Sequence, residues 1–291
     1  MMNREAFNLR LIELGKRLVA DRFDPMPIVA LGHRLAVEDE ADLVVFRERV
    51  IRNPDRLLHQ WMGQTALRRR RMNPDRRRML DVLGRSPDLF EPSGSRWDER
   101  LHTATLTWFL GWSVSIRGGL AFPARDAFLT MICAGEPEQG HPLPDVEELR
   151  AQSWRVVAER SVAPFGRVDI WLESTKFVVV VEAKLGAREG IDQIKRYNDA
   201  KVGHARGREW IVVFLTVDNA LAASGPSIRT TFRDLLSAWL PLAVARDTGT
   251  HEHMALYLAT VAIVCGVAGA GDFDDWNLES RRSALDLVEA K

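Results

Sequence analysis

The chain has 291 residues, enough to bury a sizeable core as one large domain or two modest ones. Hydrophobic residues make up 46% and charged residues 27%, which excludes a disordered chain and points to a globular protein in water. Forty Lys and Arg balance forty Asp and Glu, so affinity for a polyanion has to come from local patches and not from net charge.

Other classes fall away on motifs. Cys133 and Cys265 stand far apart in apolar surroundings, with neither a disulfide framework nor a zinc spacing, as in a reducing compartment. The opening MMNREAFNLRLIELGKR lacks the continuous apolar region of a secretory signal, so a cytoplasmic protein is expected. There is no GxxxxGK[ST], no GxGxxG after a strand and no GxSxG elbow. His251 and His253 are two apart, on different faces of a helix, which is poor spacing for a metal pair.

The first ninety residues read as helical. Phe7, Leu9, Leu11, Ile12, Leu14 and Leu18 suggest one amphipathic helix, ended by Asp24-Pro25-Met26-Pro27. Residues 41–50 suggest a second and residues 55–71 a third, each stopping at an Asn-Pro pair. Arg68 to Arg71 and Arg76 to Arg78 form a basic run that either grips phosphates or is a solvated face paired with acids elsewhere. Residues 85–94 read as a linker. Ser95-Arg96-Trp97-Asp98 then resembles a capping box with Ser95 as N-cap. In the helix that follows, Leu101, Ala104, Trp108 and Trp112 form a stripe, while Glu99 shares a face with Leu106 and Leu110. Glu99 is either a first-turn acid favoured by the helix dipole or a functional group leaning towards the core.

Residues 118–150 hold a Gly118-Gly119 turn, a helix near 125–133 and a Gly/Pro-rich loop through Pro144. Residues 155–162 read as a strand, and so do residues 167–173, with an alternating pattern. Residues 177–181 are an unbroken apolar, β-branched run, as in a strand buried on both faces. Glu182 and Lys184 follow, two apart and therefore on one face, at the end of what should be a core strand. Charges there need a partner or a metal. Antiparallel pairing across the short turn Ser174-Thr175-Lys176 carries Asp169 towards Glu182. Residues 191–200 read as a helix with Gln193 and Tyr197 one turn apart on one face, and residues 209–216 read as another strand. Helices are expected over 229–244, 253–267 and 277–290. Residues 254–271 carry no charge for 18 residues, but their Ala and Gly content and lack of flanking anchors favour a buried core helix over a membrane span.

Asp169, then Glu182-Ala183-Lys184, then Gln193 and Tyr197 resemble the PD-(D/E)XK nuclease superfamily, most of all its bacterial branch with a strand-end ExK followed by QxxxY. Val168 stands where that family often has proline, and the likeness runs over residues 95–216. The resemblance implies an α/β, restriction-endonuclease-like core: a mixed central sheet flanked by helices in the order α-β-β-β-α-β, spanning residues 93–217. A helical N-terminal region (1–92) and a helical C-terminal extension (218–291) would flank it. It implies one or two Mg²⁺, or Mn²⁺ in its place, on Asp169, Glu182 and the Ala183 carbonyl, with Glu99 as an added ligand. Lys184 would act as base or electrostatic partner, its pKa depressed by the metal and partial burial. Gln193 and Tyr197 would orient Lys184 or the scissile phosphate. The partner implied is nucleic acid, DNA rather than RNA, cut endonucleolytically in defence against foreign DNA or in repair. The helical regions would shape access, bind a partner protein or make a homodimer. Two alternatives stand beside this: a non-catalytic nucleic-acid-binding or regulatory module, and a plain salt bridge at a strand end.

Overall fold

The computed structural model describes residues 54–290, apart from residues 86, 117–118, 187–188, 218–219, 221, 223, 246–250 and 270–272. The helices expected over residues 7–18 and 41–50 lie outside the described residues. Helix α1 (Pro54–Arg71) stops at Asn73-Pro74, and α2 (Pro74–Leu83) begins on that proline, where a missing N–H is no loss. Asn73 Oδ1 caps the new helix by accepting from Arg76 N–H at 2.9 Å. Then follow α3 (Glu99–Gly111), the hairpin β1 (Val114–Ile116) and β2 (Gly119–Ala121), α4 (Pro123–Cys133), β3 (Glu136–Glu138) and α5 (Val146–Arg150). The chain continues through β4 (Arg155–Val162), β5 (Gly166–Glu173), β6 (Phe177–Lys184), α6 (Gln193–His204), β7 (Glu209–Thr216) and β8 (Ser227–Thr231). It closes with α7 (Phe232–Val244), α8 (His251–Val264) and α9 (Leu278–Glu289).

Six strands form one mixed sheet in the order β3-β8-β7-β6-β5-β4. β4, β5 and β6 are an antiparallel meander, β6, β7 and β8 run parallel, and β3 closes the far edge antiparallel to β8. Helices flank the sheet, as the α/β reading required, and helical segments stand at both ends of the described chain. Two compact units result. Residues 81–266 carry the sheet and its helices, whereas α1, the start of α2 and the chain from Val267 onwards form the other.

β6 is buried on both faces, from Phe177 to Ala183. Its Val178 and Val180 pack with Trp210, Val212 and Phe214 of β7 beneath Ile194, Tyr197 and Ala200 of α6. Fully burying such side chains contributes about 1.5–3 kcal/mol each. A parallel pair needs a crossover, and α6 supplies it between β6 and β7.

Several local expectations differ from what forms. The N-cap of α3 is Asp98, which accepts from Arg100 N–H at 2.9 Å; Ser95 lies one turn earlier, its carbonyl accepting from Asp98 N–H. Leu101 and Trp108 of the expected stripe are exposed, and the buried side of α3 is His102, Thr103, Leu106, Phe109 and Leu110. Glu99 does share the Leu106 side, as the spacing indicated. Residues 87–94 of the expected linker are not loose: the buried Asp88 carboxylate accepts from Phe90 N–H, Glu91 N–H, Thr260 Oγ1 and Arg96 Nε, tying the segment to α8. The Gly/Pro-rich loop contains β3, and the expected helix over 229–244 starts as β8, with Thr231 capping α7 in a reciprocal capping box with Asp234. At Gly135 the backbone passes so close to β8 that a Cβ would meet Ile228 Cγ2 at 2.6 Å and the Arg229 carbonyl at 2.8 Å.

Within its own unit part of the basic run meets acids: Arg68 pairs with Asp286 and Glu289, Arg69 with Asp274 and Arg78 with Asp75. The apolar stretch 254–271 gives α8, a helix of 14 residues whose Met254, Ala255, Tyr257, Leu258, Ala259, Val261 and Ala262 are buried. Among the described residues no helix is long and apolar enough to cross a membrane.

Candidate active site

The turn after β5 sets the register of the hairpin. Ser174 Oγ accepts from the N–H groups of Lys176 and Phe177, and Ser174 N–H donates to the Phe177 carbonyl. From there the strands pair up to Ile170 opposite Val181, and the next position out sets Asp169 beside Glu182. Asp169 Oδ2 accepts from Ala183 N–H at 2.9 Å, so the carboxylate is held in place by the neighbouring strand. The face of β6 that buries Val178 and Val180 under α6 continues to Glu182 and Lys184. A core strand therefore ends in a carboxylate with no exposure and an ammonium whose side chain is only 13% exposed.

Lys184 Nζ lies 2.5 Å from Glu182 Oε1 and 3.5 Å from Glu99 Oε2. The first contact compensates charge but is off the hydrogen-bond direction, and Glu182 Oε1 has no aligned donor among the described residues. Tyr197 O–H reaches Glu182 Oε2 and the Arg167 carbonyl, each at 2.8 Å, with one proton to give. Gln193 Nε2 donates to the Tyr197 hydroxyl at 2.9 Å, and Gln193 Oε1 accepts from Gly190 N–H. Glu99 Oε1 accepts from Leu185 N–H at 3.1 Å, so the first turn of α3 is joined to the end of β6. The structure thus brings Asp169, Glu182, Lys184, Glu99, Gln193 and Tyr197 together.

The electrostatics follow from burial. Burial, reinforced by Asp169, pushes the Glu182 carboxyl up to about 7, against the pull of Lys184 and Tyr197. Burial also raises Asp169, with the Ala183 N–H and Lys184 opposing. Burial lowers Lys184, but Glu182, Glu99 and Asp169 outweigh it and hold the ammonium above the ordinary lysine value. Three carboxylates surround the amine; the depression expected from sequence rested on a metal ion beside it, whose charge would act in the opposite direction. Gln193 acts on Tyr197, and Tyr197 acts on Glu182.

Residues 129–247 match a profile of the PD-(D/E)XK nuclease superfamily. The matched span holds Asp169, Glu182, Lys184, Gln193 and Tyr197 and marks this region as nuclease-like; Glu99 lies outside it. No curated protein and no solved structure gives a match. Proteins of the superfamily typically use divalent metals and bind nucleic acid.

The donor set suits such an ion in its chemistry. Asp169, Glu182 and the Ala183 carbonyl are hard oxygen donors, and Glu182 Oε1 is a buried carboxylate oxygen still without a directed hydrogen bond. The set is not a ready-made cage: among the described residues no three His, Cys, Asp or Glu side chains are grouped to hold a metal. Glu99 is turned to Lys184 and Leu185 N–H, and Lys184 supplies the positive charge beside Glu182. Sequence reasoning missed the Ala183 N–H and Leu185 N–H anchors, since backbone donors carry no side-chain signature.

Proposed function

We propose that the chain is a divalent-metal-dependent nuclease, an endonuclease acting on DNA rather than RNA. The observation that carries this reading is the convergence of Asp169, Glu182 and Lys184 at the end of a buried strand, inside the span that matches the nuclease superfamily. A Mg²⁺ or Mn²⁺ held by Asp169, Glu182 and the Ala183 carbonyl would supply a water of lowered pKa and neutralise charge on the phosphoryl oxygens. Asp169 is oriented for this by Ala183 N–H, and Glu182 by Tyr197, which Gln193 holds in turn. Lys184 begins as an ammonium, so its first role is to attract and orient the scissile phosphate and to stabilise the charge that builds on it. Proton transfer by Lys184 becomes available only as the surrounding carboxylate charge is neutralised. Glu99 tethers Lys184 and, when that tether opens, is the further acid within reach of the site. A place in defence against foreign DNA or in repair is carried by analogy alone.

The test is cleavage of plasmid and of labelled single-stranded DNA and RNA, with Mg²⁺ or Mn²⁺ against EDTA, for wild type, Asp169→Ala and Lys184→Ala. Metal-dependent cutting that is lost in both variants supports the nuclease. A second reading, a nucleic-acid-binding module without catalysis, draws on the internal partners that every one of the three acids already has. It is the better account if nothing is cut while nucleic acid is bound equally well in EDTA.

A further inference from the structure

We infer that a cleft at the opposite end of the central strands binds a mononucleotide, with its phosphate on a cluster of guanidiniums and its base against Trp154. The cleft has a volume of about 850 Å³ and is lined by Arg155, Arg160, Arg206 and Arg208, with Glu173 and Trp154 among the other lining residues. It lies at the Phe177 end of β6, where Trp154 stacks on Phe177 with ring centroids 6.3 Å apart. Lys184 is seven residues further along that strand, about 23 Å away at the rise of a β-strand. The cleft is therefore separate from the carboxylate site.

Its charge is unbalanced. Four guanidiniums face one carboxylate, and the nearby Glu148 and Glu209 are paired instead with Lys176. Glu173 organises the arginines: it accepts from Arg160 Nη1 at 2.9 Å and from Arg155 Nη1 at 3.3 Å, with Arg208 Nη1 at 3.6 Å and Trp171 Nε1–H at 3.1 Å. Arg160 is further fixed over the Trp171 ring at 4.1 Å, and Arg208 is clipped to the Ala205 and His204 carbonyls. Each guanidinium has five donors, so one bond to Glu173 leaves Arg155 and Arg160 others to offer in a preset geometry that matches phosphate oxygens.

Arg206 adds an independent sign. It sits at φ +52° directly before Gly207 at φ +80°, in a turn whose left-handed positions favour Asn and Gly. Among the described residues it has no hydrogen-bond or ion-pair partner, yet it enters the cleft. Its exposed side chain therefore keeps its donors for an external anion. The volume falls in the range of small-molecule sites, and the concave wall with one aromatic suits a nucleotide better than a duplex.

The test is calorimetric titration in EDTA with the four 5′-mononucleotides, adenosine, inorganic phosphate and a short single-stranded oligonucleotide. Saturable binding of at least one mononucleotide, weaker binding of phosphate and none of adenosine are expected. Arg206→Asn should weaken nucleotide binding about tenfold, the scale of a lost charge-assisted contact, while its melting temperature holds or rises because Asn suits the turn. Three results would each overturn the assignment: no mononucleotide binding, binding of the oligonucleotide alone, or full affinity in Arg206→Asn. None of these readouts depends on whether the chain cuts nucleic acid.

Discussion

Replacing Glu182 by Gln should stabilise the metal-free protein at alkaline pH while it removes metal-dependent activity. Glu182 is fully buried, and its folded pKa of about 7 stands above the ordinary 4.5. The folded protein therefore holds this proton more tightly than the unfolded chain does. The cost of ionising it is absent below 4.5, grows between 4.5 and about 7, and is complete above that. At pH 8 it amounts to about 3 kcal/mol. Gln has the same shape, can accept from Tyr197 and carries no charge, and Lys184 keeps Glu99 as a partner. Urea denaturation of both proteins in EDTA gives the measure. The advantage of Glu182→Gln should widen by about 2 kcal/mol between pH 5.5 and pH 8. A variant less stable than wild type by the same amount at both pH values would refute the argument, because Glu182 would then be an ordinary stabilising ion pair.

Tyr197→Phe removes the hydroxyl that holds Glu182 down, so the acidic limb of the pH–rate profile should move to higher pH, with a stability loss of about 1–2 kcal/mol read by denaturation. An unchanged profile would show that Tyr197 only packs. His102 is buried between Tyr257 O–H and the Arg96 carbonyl, and burial lowers its pKa below 6.5 against the pull of that carbonyl and of Asp98, Asp88 and Glu99. Its contribution to stability is then complete above pH 6.5 and is lost as the pH falls below it, opposite in sign to that of Glu182. The difference between wild type and His102→Gln, followed from pH 7.5 to 5, isolates it. Gly135→Ala should cost about 1–3 kcal/mol through the Ile228 and Arg229 contacts, visible as a lowered melting temperature; a neutral result would mean that β3 shifts freely.

How much of this was legible depends on what carries the signal. β4 and β7 form over the residues their apolar patterns indicated, and the β5–β6 hairpin was readable because Ser174-Thr175-Lys176 leaves room for little else. β3 was not readable, since Glu136-Pro137-Glu138 has no strand propensity; the close approach at Gly135 and the ion pairs of Arg229 with Glu136 and Glu138 fix it there. β8 was lost to the helix that follows it without a break, Thr231 ending one and capping the other. At the site, Asp169 and Glu182 are 13 positions apart within one hairpin, a distance that strand alternation can bridge. Glu99 and Lys184 are 85 positions apart, and only the family likeness tied them together. The raised Lys184 pKa depended on counting three carboxylates in space, which no spacing in the sequence reveals.

That 13-residue separation also bears on the order of folding. The two acids meet by closing a short loop, which is fast, whereas the tyrosine that shields Glu182 arrives only when α6 docks on β6 and β7. Desolvation of Glu182 therefore falls late, at the docking of α6, and its energetic cost depends on whether the carboxyl then carries a proton. Refolding in EDTA should be slower at pH 8 than at pH 6, and Glu182→Gln should remove the difference. Stopped-flow tryptophan fluorescence, to which Trp171 and Trp210 contribute with ring centroids 5.5 Å apart beside α6, would follow the refolding rate.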